Sequence, residues 1–118
     1  MTRRLDRSTL RAAWWAWRSL HRARRRLRRQ GLNEFRLEPP PELPSAAGRG
    51  VHAVLRRFPQ TCLERAMVLQ EWHAAHGESR EVVIAVGRPE GSFRAHAWLE
   101  GEPDAATDLD EVMRVPAR

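Results

Sequence analysis

The sequence contains a single cysteine and has neither lysine nor tyrosine. One cysteine excludes an internal disulfide framework and a metal site built from several thiolates. No apolar run approaches transmembrane length, since the longest candidate near the start covers only residues 12–17. The stretch that follows Arg3 and Arg4 is also too polar for a signal peptide. The sequence therefore predicts a cytoplasmic protein without stable membrane insertion.

The basic residues are all arginines, and their distribution along the chain is uneven. Residues 1–29 hold 11 arginines against Asp6 alone, whereas residues 30–118 hold 10 arginines against 14 acidic residues. A basic segment of this kind suits a nucleic acid, an anionic membrane or an acidic protein. No base-reading motif accompanies it, and its three tryptophans are typical packing anchors. We therefore expect an acidic protein partner rather than a nucleic acid.

The chain is long enough for one small core, and its composition divides it into three parts. Residues 1–36 are predicted to form a basic amphipathic helical arm, residues 37–48 a proline-rich connection, and residues 49–118 the core. Within the arm, the spacing predicts a helix over residues 8–29 with Ser8 as its N-cap. The apolar stripe predicted for this helix consists of Leu10, Ala13, Trp17, Leu20 and Leu27.

Two further helices are predicted at the start of the core. Residues 49–58 carry an apolar face that ends before Pro59. The sequence from Thr61 to Glu64 then matches a capping box, in which the threonine side chain and the glutamate side chain each satisfy a backbone N–H group. The helix that follows is predicted to stop at Gly77. This assignment places Cys62 at the first helical position.

The remainder of the core has the pattern of strands. Residues 81–87 form a β-branched run typical of a central strand, and residues 88–91 are predicted to turn. Residues 92–100 alternate, which places His96 and Trp98 on one face of a second, antiparallel strand. Residues 108–115 are either a third short strand or a helical turn. The predicted fold class is therefore α+β.

Cysteine at a helix start has a chemical consequence. Unpaired N–H groups and the partial positive charge at a helix N-terminus favour a thiolate, which is the nucleophilic form of the side chain. His96 supplies an imidazole that can exchange its proton, and Asp104, Asp108 or Asp110 could orient that ring. A small buried cysteine and a packed histidine would give the same pattern without catalysis.

Three blocks of the sequence resemble a known family. These are residues 61–66, which contain Cys62, residues 81–86, and residues 93–101, which contain His-Ala-Trp. Together they closely resemble the lasso-peptide leader peptidases, which are small transglutaminase-like (papain-like) cysteine proteases. The resemblance implies a cysteine at a helix N-terminus packed on a short antiparallel sheet. It also implies that Cys62 is the nucleophile, His96 the general base and acid, and Asp108 the third member of the triad.

The resemblance further implies a function and partners. The enzyme would remove the leader from a ribosomally made lasso precursor, with a separate small leader-binding protein and a downstream ATP-dependent cyclase. It would need neither a cofactor nor a metal. Two alternatives remain from the residues themselves. One is a non-catalytic basic module that binds nucleic acid or an acidic protein, and the other is a transglutaminase-like enzyme that processes another amide.

Overall fold

The computed structural model describes residues 6–30, 37–103 and 105–117. Within these ranges the chain is α+β, as predicted, and it divides into two compact units, residues 1–60 and residues 61–118. The three domain ranges derived from the sequence stay a prediction. None of the described helices has the length and apolar character needed to cross a membrane.

Helix α1, Arg7–Gln30, is capped by Asp6 and not by the predicted Ser8. The Asp6 carboxylate accepts a hydrogen bond of 2.8 Å from the Thr9 N–H group, and the Asp6 carbonyl accepts one from Leu10. The hydrogen bonds from Thr9 lower the pKa of Asp6, because they stabilise the ionised carboxylate. Ser8 lies inside the first turn, so the prediction of its capping role is wrong.

The buried face of α1 also differs from the predicted stripe. Leu10 is 53% exposed, and of the predicted stripe only Leu20 is buried. Most of the buried face consists of small side chains, namely Thr9, Ala12, Ala16, Ser19 and Ala23. The periodicity of the sequence predicted that mainly large apolar residues would be buried. Close packing of two helices instead requires small side chains where they touch.

That neighbour is helix α2, Gly48–Arg57, which follows a short 3-10 helix, Ser45–Ala47. The two helices approach closely at Gly50, where a Cβ atom would lie 2.2 Å from the Thr9 carbonyl oxygen and 3.1 Å from the Ala13 nitrogen. Only glycine fits this position without moving α1. The helix ends where predicted, because Phe58 takes the extended conformation that a following proline favours.

The second unit starts with helix α3, Cys62–Ala74, and the predicted capping box is confirmed. The Glu64 N–H group donates to the Thr61 hydroxyl over 3.1 Å, and the Thr61 N–H group donates to the Glu64 carboxylate over 2.9 Å. Gly77 has a positive φ of 82° just after the helix, in the role predicted for it. Local signals therefore fix both ends of α3.

Three antiparallel strands complete this unit, in the order β2-β1-β3. Strand β1, Val82–Gly87, is central, as its β-branched run predicts, and β2, Arg94–Leu99, forms the predicted hairpin with it. Strand β3, Asp110–Val115, resolves the open choice for the C-terminal segment in favour of a strand. Helix α3 packs mainly against β2, which brings the helix start close to that strand.

A charged cluster ties the ends of the strands together. The Arg114 guanidinium on β3 donates to the carboxylates of Glu111 (2.7 and 2.9 Å), Glu100 (2.9 Å) and Glu81 (3.3 Å). The hydrogen bond to Glu111 is the main reason why the pKa of Arg114 is raised and that of Glu111 is lowered. The cluster links β3 to the residue before β1 and the residue after β2.

Candidate active site

Cys62 is the first residue of α3, and its side chain is partly exposed. The capping box fixes the start of the helix, because the N–H group and the hydroxyl of Thr61 are both hydrogen-bonded to Glu64. The Cys62 Sγ atom accepts a hydrogen bond of 3.3 Å from the backbone N–H group of Ala97 on β2. The sulfur is therefore in contact with the peptide unit that joins His96 to Ala97.

This contact is possible because β2 is an edge strand. Ala97 stands opposite Ile84 of β1, and its N–H group donates to sulfur instead of joining the ladder. An N–H group that donates to sulfur also stabilises negative charge there, in the same sense as the helix N-terminus. The sulfur thus lies between the N-terminus of α3 and a backbone donor of β2.

His96 lies next to Ala97 and is half-buried. Its side chain and that of Trp98 project from the same face of β2, and the two rings stack with centroids 5.5 Å apart and planes 25° apart. Ala97 and Leu99 project from the other face and are buried. The Trp98 ring therefore packs against the His96 imidazole, next to the backbone N–H group that contacts the sulfur.

Asp108 lies in the turn before β3, and its carboxylate is 3.3 Å from the Arg94 guanidinium. Arg94 precedes His96 by two residues on β2, so the two side chains share a face of the sheet. Gly87 makes room for the turn, since a Cβ atom there would lie 3.1 Å from the Leu109 side chain. Asp108 thus contacts the side chain of Arg94, a residue on the same face of β2 as His96.

The two alternative aspartates have different positions. Asp110 opens β3 opposite Val86 of β1 and is exposed. Because β1 lies between β3 and β2, the Asp110 backbone is two strand spacings, roughly 10 Å, from the strand of His96. Asp104 lies outside the described residues.

The comparison with protein families adds to this geometry. A family model described as the transglutaminase-like superfamily matches residues 8–115, which is nearly the whole chain. The chain belongs to the transglutaminase-like superfamily. No curated protein and no solved structure matches it. Membership covers both units, so α1 and α2 are part of the transglutaminase-like domain as the family defines it.

In this transglutaminase-like domain, Gln60 has a structural role. Its side-chain nitrogen donates to the carbonyl oxygens of Leu55 (2.9 Å) and Phe58 (2.7 Å), which closes the end of α2. The amide nitrogen of Gln60 is thereby occupied. Backbone N–H groups at the start of α3 offer further donors next to Cys62.

A crevice too narrow to admit a water molecule adjoins the sulfur, between α3 and β2. Cys62, Ala97 and Trp98 line it together with the charged side chains of Arg65 and Glu102. A wider depression of about 310 Å³ lies at the β1–β2 turn, beside Arg94 and Asp108. Phe93 also lines this depression, and its aromatic side chain is 65% exposed to solvent.

Sequence reasoning missed two contacts of the site, the one between Ala97 and Cys62 and the one between Arg94 and Asp108. The Ala97 N–H group leaves no trace in the side-chain pattern, because any residue except proline supplies it. The alternation along the predicted strand already places Arg94 on the same face as His96. The pairing of Arg94 with Asp108 depends on where β3 joins the sheet, and the sequence left that open.

Proposed function

We propose that the protein is a cysteine peptidase that removes the leader from a ribosomally made lasso precursor. The observation that carries the proposal is the 3.3 Å contact between the Cys62 sulfur and the peptide unit that follows His96. Membership in the transglutaminase-like superfamily supports thiol chemistry. The resemblance of residues 61–66, 81–86 and 93–101 to lasso leader peptidases supports the choice of substrate.

The reaction starts with the Cys62 thiolate. It attacks the scissile carbonyl carbon, a C–S bond forms, and the carbonyl oxygen takes the negative charge. As the tetrahedral intermediate collapses, the C–N bond breaks and His96 gives its proton to the leaving amine. Water, deprotonated by His96, then attacks the thioester and releases the leader as a carboxylic acid with free Cys62. The amine of the core peptide is left free for a separate cyclase.

The oxyanion would be held by backbone groups at the start of α3. The Thr61 and Glu64 N–H groups are engaged in the capping box, which leaves those of Cys62 and Leu63 for the substrate. Donors that are already aligned before reaction stabilise a developing oxyanion without reorganisation. The Gln60 side chain has no part in this, because its nitrogen is bonded at the end of α2.

Asp108 is proposed as the third member of the triad, acting on the orientation of His96 from its place beside Arg94. We expect Asp108→Asn to lower kcat by about 10²-fold without abolishing turnover, since Cys62 and His96 remain. Asp104→Asn and Asp110→Asn are expected to stay within about threefold of the wild type. Steady-state cleavage kinetics of the three variants provide the measurement.

A matched control separates orientation of the imidazole from loss of the ion pair. Arg94→Gln removes the same ion pair as Asp108→Asn but leaves the carboxylate in place. Activity of Arg94→Gln close to the wild type would support a direct role for Asp108. A loss confined to Asp104→Asn would assign the third role to Asp104 and contradict the proposal for Asp108.

The proposed setting is the cytoplasm, with the precursor, a small leader-binding protein and an ATP-dependent cyclase as partners. The test is incubation with the precursor and the leader-binding protein, followed by intact-mass analysis. Two fragments whose masses add to that of the precursor plus one water are expected. Incorporation of an added amine into glutamine side chains, without chain cleavage, would instead indicate a transferase.

A further inference from the structure

A cleft of about 400 Å³ lies within the first unit, between α1 and the proline-rich segment 37–44. We call it the arginine cleft. Its α1 wall is formed by Arg11, Trp14, Arg18 and Arg22, and its other wall includes Pro39 and Pro41. This volume is in the range of pockets that take several side chains or a small ligand.

The second wall is held in place before any ligand binds. The Trp15 indole N–H group donates to the Glu38 carbonyl over 3.1 Å, which fixes the proline-rich segment to α1. Consecutive prolines restrict the backbone further. A preformed wall lowers the entropy that binding would cost.

The charges of the arginine cleft are only partly balanced. Arg22 forms an ion pair with the Glu38 carboxylate at 3.0 Å, so a carboxylate already fits against this row of guanidinium groups. Arg11 and Arg18 are exposed and have neither a hydrogen bond nor an ion pair within the described part of the chain. The cleft thus has two cations available for further carboxylates.

An aromatic side chain accompanies these cations. Trp14 is 59% exposed and stacks on Trp17 with ring centroids 5.4 Å apart. Exposed tryptophan next to arginine is typical of the residues that dominate protein recognition. The cleft therefore combines an exposed aromatic surface with the guanidinium groups of Arg11 and Arg18.

We propose that the arginine cleft binds an acidic segment of polypeptide that carries apolar side chains between its carboxylates. On the proposed function, which this inference extends, that segment belongs to the precursor outside the scissile bond. The Glu38 carboxylate is 75% exposed at the rim, where its ion pair with Arg22 shows how a carboxylate meets this row of arginines. Carboxylates interspersed with apolar groups suit the alternation of Arg11, Trp14 and Arg18 better than a nucleic acid does.

The experiment uses the full chain with Cys62→Ala, so that binding is read without cleavage. The probe is a fluorescein-labelled octapeptide of alternating Glu-Glu and Leu, and its anisotropy is measured at about 0.15 M salt, where the Debye length is about 8 Å. We expect saturable binding that weakens about tenfold or more when Arg11→Gln and Arg18→Gln are combined. The same peptide with Gln for Glu is expected to bind about tenfold more weakly or not at all.

A matched double variant separates the cleft from general positive charge. Arg25→Gln with Arg28→Gln removes the same charge from exposed positions of α1 outside the cleft. This control is expected to weaken binding by less than about twofold. Far-UV circular dichroism confirms that both double variants keep the helix.

Three results would overturn the proposal. One is the absence of saturable binding to the acidic octapeptide, and another is an equal loss in both double variants, which would show a delocalised charge effect. The third is tighter binding of a short oligothymidine than of the peptide, which would identify a nucleic acid site. None of these readouts involves cleavage. A negative binding result therefore refutes the role of the arginine cleft without refuting the peptidase, and an absence of cleavage refutes the peptidase without refuting binding at the cleft.

Discussion

Cys62→Ala is expected to abolish precursor cleavage, with a loss of kcat on the order of 10³-fold or more. No second cysteine exists to replace the nucleophile. The variant should stay folded, because the side chain is small and partly exposed and the capping box does not use it. Intact-mass analysis of precursor incubated with each protein measures the loss.

The fold of this variant is checked by its urea unfolding curve. Loss of sulfur leaves the Ala97 N–H group without its acceptor, which should cost about 1 kcal/mol of unfolding free energy. His96→Ala is expected to lose activity to a similar extent while retaining a reactive thiol. Cleavage that persists in purified Cys62→Ala would refute the assignment of the nucleophile.

Gly50→Val is expected to lower the free energy of unfolding by about 2–4 kcal/mol. The new Cβ would fall 2.2 Å from the Thr9 carbonyl oxygen, so α1 and α2 must separate and lose contact along their small-residue face. Gly50→Ala makes the sharper comparison. In an ordinary helix this change stabilises by about 1 kcal/mol, whereas here the clash should reverse the sign.

The measurement is urea unfolding followed by circular dichroism and by tryptophan fluorescence, since three of the five tryptophans lie on α1. Arg56→Val serves as the control, because it introduces the same side chain at an exposed position of α2 and should cost less than about 1 kcal/mol. Gly50→Ala as stable as the wild type, or more stable, would show that the helices are not in close contact at this point.

The parts of the fold that local chemistry encodes were predictable from the sequence. Thr61 and Glu64 specify the start of α3, and therefore the position of Cys62, within four residues of chain. The β-branched run of β1 and the alternation through His96 identify a hairpin in the same local way. For this reason the nucleophile and the histidine could be proposed before any coordinates.

Other parts depend on contacts between distant residues. The buried face of α1 is set by Gly50, which is about 40 residues from the helix positions it contacts. The Ala97 donor to Cys62 is a backbone group that every sequence would offer. Asp108 could not be separated from Asp104 and Asp110, because its contact with Arg94 depends on how β3 pairs with β1.

Alkylation of Cys62 by iodoacetamide is the most direct test of a nucleophilic sulfur. Since the chain has one cysteine, intact mass follows this reaction alone, in the folded protein and in the chain unfolded by urea at the same slightly acidic pH. Helix-start and Ala97 donors should make the folded thiol react at least about tenfold faster than the unfolded one. A folded thiol that reacts more slowly than the unfolded thiol would contradict the account.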